Sequence, residues 1–121
     1  MLMSESMEMY IETILELSNM GIFVRSLDVA RNLGVSKPSV SRAMGILKNN
    51  ELILIDSRGY ITLTENGEKI AKKILEKRMV LKEILLSLGV DEKTAAEDAC
   101  RIEHVLSDKT FEALKVYRSN L

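Results

Sequence analysis

The stretch that most restricts the fold reads VRSLDVARNLGVSKPSVSRAMGILKNNELI, residues 24–53. Two short helical patterns, over residues 27–33 and 38–48, have LGVS between them. Gly34 can take the left-handed conformation that ends the first helix. Ser36 can cap the second, and Pro38 falls in its first turn, where a missing N–H costs nothing. That pattern predicts a helix-turn-helix. Directly behind it, LILIDSRGYITLT alternates apolar and polar residues around Asp56-Ser57-Arg58-Gly59. Two β-rich runs joined by a glycine-containing turn make a hairpin, and a hairpin behind a helix-turn-helix is the wing of a winged helix.

The remaining chain is helical in pattern. In SMEMYIETILELSNMG, residues Met7, Tyr10, Ile11, Ile14 and Leu17 share a stripe, and Gly21 supplies the stop. Thr64 caps a long pattern, ENGEKIAKKILEKRMVLKEILLSL, closed by Gly89. A further helix is expected from Asp91 to Val105. Ser107 or Asp108 opens a last one, with Phe111, Leu114 and Tyr117 on its inner face. The expected architecture is mainly α with a small β-hairpin: a winged helix-turn-helix over residues 1–72, then a helical domain over 73–121, with the long helix bridging the two.

Composition narrows the class. With 46% hydrophobic residues but 4% aromatics and no tryptophan, the core must be aliphatic and methionine-rich. No apolar run approaches the roughly 18 residues of a membrane helix, and the N-terminus lacks the basic flank and apolar region of a secretory signal. A single cysteine cannot form an internal disulfide and fits a reducing compartment. The expectation is a cytoplasmic protein without membrane partners. Net charge is −1, which argues against a generic polycation. Its distribution is uneven: residues 1–24 carry four Glu and no Lys or Arg, whereas residues 25–58 have a net charge of +3.

That basic stretch coincides with the predicted second helix of the helix-turn-helix, whose N-terminal residues enter the major groove. Candidates for DNA contact are Ser36, Lys37, Pro38, Ser39, Ser41 and Arg42, with Lys48 further along the helix. The hydroxyls and Lys37 suit phosphate and sugar. The Arg42 fork matches the O6/N7 edge of guanine, and Arg58 at the hairpin tip suits a backbone contact. Val40, Met44 and Leu47 are left to be the buried face. Each charge alone fits an ordinary solvated surface equally well; it is the agreement of helix pair, proline, wing and local charge that points to double-stranded DNA.

The segment ACRIEHVLSD holds the only cysteine and the only histidine. On a helix, Cys100, Glu103 and His104 share a face, flanking a core stripe of Ala95, Ala99, Ile102 and Leu106. A thiolate, a carboxylate and an imidazole suit a borderline divalent transition metal. A buried thiol beside a surface Glu–His pair fits the same spacing. Met9 falls on an otherwise polar face of the first helix with Glu12, Thr13 and Glu16, which leaves two readings, packing or thioether ligation. A nucleophilic cysteine with a histidine base would make an enzyme, but no glycine-rich oxyanion loop lies nearby, so neither catalysis nor a small-molecule substrate is expected. A regulator that is not gated by metal, with Cys100 as a redox sensor or plain core, is the alternative.

MEMYIETILEL, DVARNLGVSKPSVSRAM, GYITLTENGEKIAKKIL and ACRIEHVLSD together resemble the diphtheria toxin repressor family, which includes iron-dependent and manganese-transport regulators. The likeness runs from about Met7 to Leu114. It implies a homodimeric repressor that binds a palindromic operator when loaded with Fe(II) or Mn(II), a primary metal site of Met9, Cys100, Glu103 and His104, and a dimer interface built from the helices after the wing. There are departures. At the positions of the family's ancillary metal site stand Ala96 on one helix and, on the long helix, Arg78 and Lys82, or Lys77 and Leu81 in the other register. Glu12 resembles a ligand of the manganese branch, whereas Cys100 and Met9 belong to the iron branch. The sequence ends at Leu121, so no counterpart of the SH3-like domain of iron-type members is expected. The implied cofactor is Fe(II) first and Mn(II) next, one per subunit, with Arg78 (or else Lys77) standing in for a second cation and able to pair with Glu12. The implied mechanism is a metal-locked hinge that sets the spacing of two recognition helices.

Overall fold

The computed structural model describes residues 4–121. Six helices and a two-stranded sheet follow one another in the order α1 (Glu5–Asn19), α2 (Ser26–Leu33), α3 (Lys37–Asn49), β1 (Ile53–Ile55), β2 (Ile61–Leu63), α4 (Glu65–Ser87), α5 (Glu92–Ile102) and α6 (Asp108–Ser119). The chain divides into two compact units, Met1–Lys72 and Lys73–Leu121. Among the described residues no helix is long and apolar enough to cross a membrane.

The first unit is a winged helix. Gly34 ends α2 at φ 66°, ψ 35°, and the Ser36 hydroxyl accepts the Ser39 N–H to cap α3, with Pro38 in the first turn. Val40, Met44 and Leu47 are buried as their spacing requires, and Ala43 joins them. The wing is antiparallel, with Ile53 opposite Leu63 and Ile55 opposite Ile61. The Asp56 carboxylate accepts the N–H groups of Arg58 and Tyr60, both at 2.9 Å, and Gly59 takes φ 82°. The Ile61 N–H donates to the Val24 carbonyl at 2.7 Å, so the α1–α2 connection is tied to β2. Helix α1 contacts α2, α3 and β2. From Tyr10 to Leu17 it is buried nearly all round, Glu12 and Thr13 included. The polar face that Met9 shares with Glu12, Thr13 and Glu16 is thus covered at Glu12 and Thr13.

The beginning of α4 is strapped to the connection between α3 and β1. Thr64 donates its hydroxyl to the Glu51 carbonyl at 2.7 Å and accepts the Gly67 N–H at 3.1 Å. The Thr64 N–H donates to the Leu52 carbonyl at 3.0 Å. A Cβ at Gly67 would run into that same carbonyl, so only glycine fits there.

In the second unit Val80, Ile84 and Phe111 form the core, with Leu106 and Leu114 packed on it. Asp91 and Ser107 cap α5 and α6 by accepting the N–H groups of Thr94 and Thr110. Tyr117, expected on the inner face of α6, is 50% exposed, because Phe111 and Leu114 already fill that side. Helix α5 is shorter than expected. It stops at Ile102, with Glu103 as its C-cap and His104 in the following turn.

Lys77 is buried in this unit. Its ammonium donates to the Leu106 carbonyl at 3.2 Å and lies 3.5 Å from the Asp108 carboxylate, with the Phe111 ring 5.9 Å away. A buried polar group deprived of its partner costs about 1–3 kcal/mol, so Lys77→Met is expected to lower stability by about that amount. Thermal denaturation checks this, and an unchanged midpoint would mean that the ammonium does no structural work.

Candidate metal centre and nucleic-acid interface

Burial of Val40, Ala43, Met44 and Leu47 fixes which side of α3 turns outward. Ser36, Lys37, Pro38, Ser39, Ser41, Arg42 and Lys48 are all exposed, as is Arg58 in the wing turn. No acidic residue stands in the first turn of α3, so nothing there opposes an incoming phosphate. Beyond the wing tip, Arg25 lies 4.6 Å over the Tyr60 ring, and Phe23 packs on the same ring at 5.4 Å. Helical angles put Gly45 in the outward row of α3 with Pro38 and Arg42. It is exposed, and a Cβ there would meet nothing within 4 Å. The sequence analysis passed over Gly45; the available signal was a glycine inside a helix that has no packing need for one.

Glu103 and His104 lie side by side just past α5, one turn after Cys100. Ala95 and Ala99 are fully buried, and their helix carries Cys100 on an exposed flank. Glu103 follows at the C-cap in αR geometry, φ −55° and ψ −29°, so the helical spacing from Cys100 persists past the last hydrogen-bonded turn. Of the three residues expected to flank the core stripe, Glu103 is instead fully buried at 0% exposure, while Cys100 is exposed, against the alternative that made it core. The Glu–His pair is not on the surface, since the His104 side chain is 7% exposed with Nε2 3.2 Å from Glu103 Oε1.

The cation facing Glu103 comes from α4. Arg78 donates from Nε to Oε2 at 2.8 Å and from an Nη to Oε1 at 3.0 Å, and the same Nη lies 3.7 Å from Cys100 Sγ. This is the two-pronged geometry in which guanidinium binds carboxylate most strongly. Burial pushes the Glu103 carboxyl above the usual carboxylate range, with Arg78 and then His104 pulling the other way. For Arg78, burial works against the charge, but the hydrogen bond and charge of Glu103, helped by Cys100, outweigh it and raise its pKa. Of the two basic residues weighed from the sequence, Arg78 is the one at Glu103, while Lys77 turns to Leu106 and Asp108.

The other two ligand candidates lie in the first unit, three residues apart on α1. Glu12 is buried, and Met9 is 44% exposed. Met9 lines an open groove with Ser6, Tyr10, Leu33 and Val35.

A winged helix with a basic outward helix, in one chain with a helical unit presenting a thiol, a carboxylate and an imidazole, defines a DNA-binding regulator gated by metal. Comparison with known proteins gives the same answer. Residues 1–61 match the N-terminal DNA-binding domain of the iron-dependent repressors, and residues 64–121 match their metal-binding and dimerisation domain. The chain belongs to the iron-dependent repressor family. It is 41% identical over 119 residues to an uncharacterized HTH-type transcriptional regulator of Methanocaldococcus jannaschii, covering 95% of this chain and 94% of that one. It is 35% identical over 114 residues to the transcriptional regulator MntR of Escherichia coli O157:H7, covering 93% and 73%. The repressor ScaR with bound Zn2+ superimposes with a TM-score of 0.81 at 27% identity, over 92% of this chain and 52% of that one. The chain thus spans about half the length of that solved relative.

Proposed function

We propose that this protein is a homodimeric repressor whose binding to a palindromic operator requires one divalent transition metal per subunit, Fe(II) ahead of Mn(II). The observation that carries this reading is the buried Glu103–His104 pair, Oε1 and Nε2 3.2 Å apart, one turn after Cys100, which shares the Arg78 guanidinium with Glu103. Their donor set fits such an ion: a soft sulfur, an imidazole nitrogen and a carboxylate together suit the borderline first-row metals. Met9 and Glu12 complete the proposed ligand set, on the strength of the family likeness. The bound ion supplies positive charge and directional bonds that select one conformation of the dimer. To drive an inactive population from 1:99 to 99:1 it must favour the active state by about 5.5 kcal/mol. Metal analysis of the saturated, purified dimer should give a stoichiometry near one per subunit. Two tightly held ions, the second requiring Glu12, would contradict it.

On the DNA side, Ser36, Lys37, Pro38, Ser39, Ser41, Arg42, Lys48 and Arg58 form the proposed interface. Arg42→Ala is expected to relax sequence preference, costing about 1–3 kcal/mol at one base position. Lys37→Ala should instead weaken all sequences alike and flatten the salt dependence. Binding to operator variants at several salt concentrations separates the two, and an unchanged salt slope would place Lys37 away from phosphate.

Gly45 makes a prediction with opposite signs. Glycine inside a helix costs roughly 0.5–1 kcal/mol relative to alanine. At an exposed position with open space around it, that cost buys clearance for the DNA. Gly45→Ala is therefore expected to raise thermal stability while weakening operator binding. Tighter or equal binding by the more stable variant would remove Gly45 from the interface.

A further inference from the structure

The Glu103 carboxylate has no solvent exposure, and both of its oxygens are engaged by Arg78. The same guanidinium reaches Cys100 Sγ. Two of the proposed ligands are thus held by one cation belonging to the protein itself. A divalent ion seated on Glu103 and Cys100 would lie within a few ångströms of that fixed positive charge. At about 4 Å, and with the effective dielectric of a protein surface, each pair of unit like charges repels by several times the thermal energy. The Arg78 side chain is 26% exposed, so unlike the carboxylate it has a route to water.

We infer that Arg78 is a resident counter-cation that competes with the metal: loading exchanges the guanidinium for the ion on Glu103 and Cys100, and Arg78 thereby sets the metal concentration at which the regulator responds. No covalent bond changes. The carboxylate loses two N–H donors and gains an ion, while the guanidinium is rehydrated. In the metal-free protein Arg78 has a second effect, keeping a buried carboxylate compensated so that the end of α5 stays folded without the ion. A histidine or glutamate at this position would add a ligand, whereas an arginine has no lone pair to offer.

This inference rests on Glu103 and Cys100 being ligands, and the experiment keeps the two questions apart. Zn(II) and Mn(II) affinities are measured by calorimetric titration on the dimer of the parent, Arg78→Gln, Arg78→Lys, Glu103→Gln and Cys100→Ser. Arg78→Gln is expected to bind about ten- to a hundredfold tighter, the factor that a charge-assisted hydrogen bond corresponds to. Arg78→Lys, with a charge but no fork, should fall between. In the parent, the Arg78 Nε–H resonance should be protected from exchange without metal and lose that protection when diamagnetic Zn(II) saturates the site. This second readout needs no variant to fold. If Arg78→Gln matches the parent, or the resonance stays protected at saturation, the competition is refuted while the ligand assignment stands, provided Glu103→Gln and Cys100→Ser lose metal. If those two variants bind like the parent, the ligand assignment falls and the competition falls with it.

Discussion

Glu103→Ala is expected to abolish metal-dependent DNA binding outright and to destabilise the second unit. Two separate losses combine. The candidate centre loses the carboxylate that lies beside His104, and Arg78 is left facing a cavity in place of the group that now holds it at 2.8 and 3.0 Å. Removing one member of a buried ion pair typically costs about 3–5 kcal/mol, and the partial exposure of Arg78 puts the expected value near the lower end. Glu103→Gln separates the effects, since it keeps the shape and some hydrogen bonding but not the charge. It should retain more of the fold while still failing to respond to metal. Operator binding with and without metal, beside thermal unfolding of the metal-free protein, reads both. A Glu103→Ala protein that responds to metal like the parent would remove this residue from the site.

The second large effect is expected at Gly67. In the first turn of α4, its backbone closes on the Leu52 carbonyl so tightly that a methyl group has no room. The obstacle is main chain, already accepting a hydrogen bond from the Thr64 N–H, and cannot rotate away as a side chain could. Overpacking costs about 1–3 kcal/mol where side chains can yield, so Gly67→Ala should cost about 3 kcal/mol or more. Such a loss consumes a large share of the 5–15 kcal/mol typical of a folded domain. Chemical denaturation of the metal-free variant tests this. A loss below about 1 kcal/mol would mean that α4 can start elsewhere without penalty.

Why the sequence exposed some of this and hid the rest follows from the range of the interactions involved. The winged helix was readable because its signals are local: Gly34, Ser36 and Pro38 punctuate α2 and α3 within a few residues, and Asp56 to Gly59 close the wing on themselves. Gly67 was passed over because its constraint comes from Leu52, fifteen residues earlier, and a glycine near a helix start looks like ordinary punctuation. The full burial of Glu103 was equally hidden. Helical spacing tells which side chains share a face but not what meets them, and Glu103 meets Arg78, twenty-five residues away. The family resemblance put Arg78 ahead of Lys77 at the ancillary position, with Glu12 as its expected partner. What periodicity could not show is that the guanidinium grips Glu103 itself, since that depends on how α4 and the end of α5 pack. The overestimated length of α5 has a simple cause: Glu103 keeps helical dihedrals as a C-cap, so the pattern outlasts the helix.

The claim at the centre of this account is that metal controls DNA binding through Cys100, Glu103 and His104. The most direct measurement is an anaerobic titration of Fe(II), Mn(II), Zn(II) and Co(II) into the metal-free dimer while binding to the DNA upstream of its own gene is followed, with a chelator added at the end. The account predicts weak, salt-sensitive binding without metal, specific binding that saturates as one ion per subunit is taken up, and full reversal by the chelator, with Cys100→Ala and His104→Ala flat throughout. Specific, high-affinity binding by the metal-free protein that neither metal nor chelator alters would contradict it.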